Sequence, residues 1–419
     1  MVSPKRAYRP IHLRMASLGA AAIAFLAAFE PNLTLRYGPF IALGVFLLAN
    51  PHRLRIGATE GTLAAFILWS ILSQYWTVYP AYFALTLTIV LSLAILFIGI
   101  RAAVRWGHIS FVVTAYALGC FVGLARSSWM IVQGSEVLHD PVTGRVTQAG
   151  DLNVNYVAYG SLAAGLLLVL MFQSRQIRGR GRKLMSVALL VGLVAGILAT
   201  GNRGAQIALV LLLLWLFVTK FGRPLKTVIT AFVVVALSVS FGWVDDWLWR
   251  LDFGERAKGG LSGRLEIWPI ARDTWARAPI EGVGFGAVRE QTAANLPAHN
   301  TILEIGTTLG IIGLLLFISF LCFSQIDRLA MLSGYDRRFR LGAIVLVFTP
   351  VLLSGTWEFS ANAWVAIALL SQPALNQSIS ARAGADRAGG RERRPGLRVA
   401  VERALAAAYT RPKATRLYR

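Results

Sequence analysis

A chain of 419 residues that is 56% hydrophobic and only 15% charged, with a mean hydropathy of +0.59, excludes a soluble assembly of two or three domains and calls for a membrane as solvent. The net charge of +22 would suit a nucleic-acid binder, but the basic residues cluster in short links between apolar runs. That placement belongs to a polytopic membrane protein and gives nucleic acid no part.

The basic start MVSPKRAYRPIHLR is followed by an apolar run, 15–29, with a second run close behind, so it reads as an uncleaved first helix. Further spans are expected at 37–49, 60–76, 81–100 and 109–125. The polar stretch 126–153 is a loop whose Gly, Asp, Pro and Thr give it hairpin character. Spans then follow at 154–172, 184–199, 204–219, 227–243, 300–323, 341–354 and 359–371. One helix over 184–219, at about 1.5 Å per residue, would far outrun a hydrocarbon core of about 30 Å. The chain must fold back, and TGNRG at 200–204 supplies the turn.

The expectation is therefore an all-α polytopic membrane protein of about twelve transmembrane helices. Its parts are nine helices over 1–243, a large outward loop over 244–299, three helices over 300–371 and a basic tail over 372–419. Of the 42 Lys and Arg, 31 fall on the side that holds both termini and 11 on the other. Positive-inside then puts both termini in the cytoplasm and sends the two long loops outward. The tail is expected on the anionic inner leaflet as a weak helix. The two cysteines, Cys120 and Cys322, lie in opposite halves of the bilayer, so no disulfide between them is expected.

Four groups on the outward side bear chemistry. His299 stands where the polar loop meets an apolar helix; an imidazole, with an ordinary pKa of about 6.5, is largely neutral at pH 7 and able to accept a proton. Arg203 sits in a turn between two apolar helices with no acidic neighbour in sequence. It either snorkels to the surface or pairs with an anionic ligand. Arg264, in SGRLEIW, is either a partner of Glu266 on a solvated helix or a second guanidinium for the same anion, with Arg256 and Lys258 nearby. Asp245 and Asp246 read as interfacial residues beside Trp243, Trp247 and Trp249 rather than as ligands for a divalent ion. Glu304, at i+5 from His299, would not share its helical face, and Asn300 would cap the helix. There is no Walker loop, and the glycines of EGVGFGA follow a Pro-containing loop rather than a strand, which makes them a poor dinucleotide fingerprint.

The run His299, Asn300, nine residues, Gly310, two residues, Gly313 resembles the histidine motif of the bacterial O-antigen ligases. TGNRGA at 200–205 and SGRLEIW at 262–268 are similar to arginine segments shared across the wider superfamily of O-antigen polymerases and pilin glycosyl ligases. The resemblance implies a GT-C-like multi-pass protein of the bacterial inner membrane with a periplasmic active site. It implies a donor polysaccharide on undecaprenyl pyrophosphate, a lipid A-core acceptor and contact with membrane lipids, with no metal and no other cofactor. Its site residues would be His299, Arg203 and Arg264 for catalysis, with Asn202, Trp268, Arg289, Asn300 and Glu304 binding substrate. A polymerase, a pilin ligase and, from another class, a lipid or sugar transporter are the competing readings. Charges at helix ends rather than along a midplane path favour surface chemistry over transport.

Overall fold

The computed structural model describes residues 11–49, 57–106, 109–133, 137–139, 146–149, 152–174, 176–177, 179–200, 202–221, 264–285, 288, 291, 297–329, 334–352 and 360–372. The expected span 227–243, together with Asp245, Asp246, Arg256, Lys258, Arg289 and the tail beyond residue 372, lies outside them. The helices are α1 (Ile11–Phe29), α2 (Pro31–Leu48), α3 (Ala58–Leu72), α4 (Pro80–Trp106), α5 (Ile109–Gln133), α6 (Val154–Gln173), α7 (Arg180–Ala199), α8 (Arg203–Phe221), α9 (Arg264–Arg277), α10 (Thr301–Leu329), α11 (Gly334–Leu352) and α12 (Ala361–Leu370). Among the described residues six are long and apolar enough to cross a membrane, namely α1, α4, α5, α6, α7 and α10, and shorter apolar helices cover Gly204–Leu216 and Ala361–Leu370. The chain is a polytopic α-helical membrane protein.

Several elements depart from the expected boundaries. The second helix starts at Pro31 rather than 37, because proline is tolerated at the first helical position; Arg36 is thereby helical. The fifth helix runs on to Gln133, and α11 starts at Gly334, which brings Arg340 inside it. The 126–153 stretch carries a three-stranded antiparallel sheet, Val137–His139, Val146–Ala149 and Leu152–Asn153, so the hairpin character is real and the protein is not wholly α-helical. Asn153 ends the last strand and caps α6, its side-chain oxygen accepting the amide of Asn155 at 2.9 Å.

Burial sorts the helices into two kinds. All ten residues of α12 are buried, and α6 is nearly as enclosed; helices apolar on every side belong inside a bundle. Around them α1, α2, α7 and α8 expose Leu18, Phe40, Leu47, Val191, Ile207 and Leu213, the apolar sheath that acyl chains require. Small residues let the inner contacts close. The buried face of α1 is largely alanine, and Gly119 of α5 abuts the backbone of Phe25. At the centre Phe97, Phe320 and Trp364 form one aromatic cluster, with Phe320 and Trp364 stacked at 5.3 Å between centroids.

The expected continuous span 300–323 is broken. Within α10, Gly310 adopts φ 67° and ψ −168°, dividing it into halves 301–309 and 311–329. A break frees carbonyls before it and amides after it, and in lipid each must find a partner within the protein. The loop after α9 supplies most of them. The amides of Val283 and Gly284 donate to the carbonyls of Thr307 and Thr308 at 2.8 and 3.0 Å, and those of Ile311 and Ile312 donate to Pro279 and Ile280 at 2.9 and 3.3 Å. The Trp69 indole N–H, at the end of α3, donates to the carbonyl of Leu309 at 2.9 Å.

Gly310 is fixed twice over, since a side chain would both suffer the left-handed φ and strike the Ile280 carbonyl. Gly310→Ala is expected to cost about 1–3 kcal/mol, read as a lower unfolding midpoint of the detergent-solubilised protein. Gly44→Ala, at an open helical position, should leave that midpoint unchanged or raised.

Candidate active site

The half-helix 301–309 is unlike a lipid-facing span. Thr301, Glu304, Thr307 and Thr308 are all buried, and Thr307 and Thr308 return their hydroxyls to backbone carbonyls one turn back. What shields it is α9. Trp268, Ala271 and Trp275 recur at helical spacing, and the Trp275 ring lies on Gly306, where a side chain would not fit. Ile267 and Ala271 make a small core with Val288 and Ala298, against which Leu303 packs. Thr274 ties this core to Gln291 through a 2.7 Å hydroxyl bond.

His299 stands directly before this half-helix. Its φ of 51° makes it the one non-glycine residue with positive φ among the described residues, and its side chain is half-buried. Asn300 caps the half-helix, as expected, its Oδ1 accepting the amides of Ile302 and Leu303 at 3.0 and 3.3 Å. The i+5 separation had put Glu304 off the histidine's face. Because His299 lies outside the helix and turns back, the buried Glu304 carboxylate instead reaches the preceding residue and accepts the Ala298 amide at 2.9 Å. The Trp268 indole N–H donates to the Ala298 carbonyl at 3.0 Å. Position 264, which opens α9, is one turn before Trp268, so the helix that begins with Arg264 packs beside the turn that carries His299.

The other arginine opens α8. In the TGNRG turn Asn202 is buried and caps α8, its Oδ1 accepting the Ala205 amide at 2.9 Å; its Nδ2 donates to Asn155 Oδ1 at 2.8 Å. That bond sets the start of α8 beside the start of α6. Of the residues expected to bind substrate, Asn202, Asn300, Trp268 and Glu304 thus each engage a side-chain polar atom within the protein, and Arg289 lies outside the described residues. Trp69, Trp76 and Asn155 escaped the sequence reading. The two tryptophans look like interfacial belt residues in a sequence, whereas the Trp76 indole N–H donates to the Glu281 carbonyl at 3.2 Å. Among the described residues no three His, Cys, Asp or Glu side chains gather as a metal ion would need.

Trp69 and Trp76, at the end of α3, hold the break in α10 and the loop that follows α9. Between the end of α3 and the turn at 200–202 run α4, α5, α6 and α7, each long and apolar enough to cross. By length and composition that is an even number of candidate spans. Arg203 and Arg264 are each the first residue of a helix, and His299 immediately precedes the cap of a third. A cation at a helix N-terminus opposes the dipole by roughly 0.3–1 kcal/mol, while the free amides there favour an anion. Asn300→Ala should cost about 0.5–2 kcal/mol by loss of the cap, with Asn300→Ser near wild type, both read as unfolding midpoints.

A family model described as O-Antigen ligase matches residues 188–318, a segment that starts in α7, contains Arg203, Arg264 and His299, and ends beyond Gly313. No curated protein matches the chain. Over residues 188–318, somewhat under a third of its length, the chain is thus similar to the O-antigen ligase family.

Proposed function

We propose that this protein is an inverting, metal-independent glycosyltransferase that moves O-antigen polysaccharide from undecaprenyl pyrophosphate to lipid A-core at the periplasmic face of the inner membrane. The family match supports an enzyme of the ligase and polymerase superfamily that handles lipid-linked polysaccharide. What supports the reading further is that four candidate spans, an even number, separate the end of α3 from the Arg203 turn, a count that would set both arginine segments and the His299 turn at one membrane surface. A lipid-linked diphosphate presents its charge at that depth, and guanidinium groups meet phosphate oxygens with paired, permanently charged donors.

In this reading Arg203 and Arg264 hold the pyrophosphate and neutralise the charge that develops as its bond to the anomeric carbon breaks. His299 takes the proton from the acceptor hydroxyl, whose oxygen attacks that carbon from the opposite face. The new glycosidic bond forms with inversion, undecaprenyl pyrophosphate leaves with the electron pair, and the proton passes from the imidazole to solvent. Nothing in the step requires a nucleotide, and the sequence carries no Walker loop.

The purified protein in nanodiscs, given lipid-linked polysaccharide and lipid A-core, is expected to shift the acceptor to the size of the polysaccharide on a gel. Lengthening of the donor without acceptor would identify a polymerase instead, and label on a pilin would identify a protein ligase. His299→Ala should lower turnover by about 10²- to 10⁴-fold, and Arg203→Ala or Arg264→Ala by about 10²- to 10³-fold each, in protein that is monodisperse and inserted. Wild-type turnover in His299→Ala would remove the base role.

A further inference from the structure

The residue before His299 is gripped from two sides by side chains that the reaction above does not use. The Ala298 amide is taken by the Glu304 carboxylate at 2.9 Å, and the Ala298 carbonyl by the Trp268 indole N–H at 3.0 Å. Ala298 is fully buried, and Glu304 is 4% exposed. On the far side of His299, Asn300 is fixed by its capping bonds to α10. Between these anchors His299 takes φ 51°, a conformation an L-residue keeps only where the surroundings impose it.

The acid itself needs explaining. A carboxylate on so buried a residue is costly unless it is well bonded. Its place in the first turn of α10 offsets part of that cost through the helix dipole, but the cap is already supplied by Asn300, so the helix does not need the acid for that purpose. What Glu304 does that Asn300 does not is reach back past the histidine. Trp268 likewise has a specific task, because its N–H crosses from the helix headed by Arg264 to the turn of His299.

We infer that Glu304 and Trp268 are positioning residues that clamp the Ala298 peptide groups, force His299 into its left-handed turn and so aim the imidazole, with Trp268 tying that aim to the Arg264 helix. The inference rests on the reading of His299 as the base. Glu304 and Trp268 then act through the backbone and not by touching sugar or phosphate.

Full-length protein in nanodiscs carries the test, with Glu304→Ala, Glu304→Gln and Trp268→Phe compared for turnover, for KM of each substrate and for amide hydrogen exchange over residues 297–303. A hydrogen bond to a charged group corresponds to roughly 10- to 100-fold in an opening equilibrium, so Glu304→Ala should speed exchange at the Ala298 amide by about that factor. Its turnover should fall by about 10²-fold, the loss that a displacement of about 1 Å brings, with both KM values unchanged. Glu304→Gln keeps an acceptor oxygen and should recover most of both losses. Trp268→Phe keeps the ring, loses the N–H and should lower turnover in the same sense; should Glu304→Ala not fold, it carries the test.

Three results would overturn the inference. Glu304→Gln as inactive as Glu304→Ala would assign the role to the charge itself. A raised KM at unchanged turnover would assign Glu304 to substrate. Faster exchange with wild-type turnover would show a grip that positions nothing. Activity retained in His299→Ala would instead remove the base reading, while the exchange measurements would still report the clamp.

Discussion

Within a bilayer no water stands ready to satisfy a free backbone amide or carbonyl, and the break at Gly310 obeys that constraint to the letter. Its freed groups are taken by a loop from outside the helix and by one indole N–H. Everything that supplies those partners is fixed in turn. Gly282 must be a glycine because the loop passes so close to the Gly310 amide and the Thr308 carbonyl, and at φ 78°. The loop must follow α9 directly, and α3 must end at the level of the break. One interruption in a helix thereby ties together segments more than 200 residues apart in sequence.

The break also divides α10 by chemistry. Beyond it, Phe317 and Phe320 pack into the aromatic centre of the bundle beside Phe66, Phe97 and Trp364. Before it, the half-helix buries an acid and three threonines against an amphipathic helix that no lipid-facing position would tolerate. A continuous helix would have forced both tasks onto one axis. The break lets the first half answer to α9 and the second to the bundle, so the turn at His299 is set by protein contacts rather than by the tilt of a span. Elsewhere polar side chains join one helix to the next. Glu30 and Arg126 join the start of α2 to α5, and Tyr116 meets Asn362 where α5, α6 and α12 cross.

Most of the membrane helices were legible in the sequence because apolar runs of bilayer length have little else to be. The TGNRG turn was legible from length alone, and the hairpin of 137–153 from its turn residues. The boundaries failed where local chemistry overrides hydropathy. Pro31 starts a helix in a stretch that looks like loop, and Arg126 and Arg340 sit inside helices because Glu30 and the Leu370 carbonyl receive them. The break at Gly310 could not be seen, since a lone glycine in a membrane helix usually serves packing. Its partner stretch EGVGFGA shows only its glycines in the sequence, whereas their purpose is a backbone approach to residues 307–310 of the next helix. The bond of Glu304 to the Ala298 amide was out of reach for a related reason: counting 3.6 residues per turn from His299 assumes that His299 is helical.

The same geometry bears on why arginine, and not lysine or a neutral residue, should open α8 and α9. A helix N-terminus already has unpaired amides and a partial positive charge, so an added cation is tolerated at a cost and gains nothing from the helix itself. Asn202 meets the capping requirement of α8 without help from its neighbour. Two helices that begin with arginine, and a third preceded by a histidine and its cap, therefore set permanent charge against the helix dipole. An anion shared among such termini would repay that cost, because amides, dipole and guanidinium would all act on it together. A diphosphate held at the membrane surface has the charge and the depth for that role.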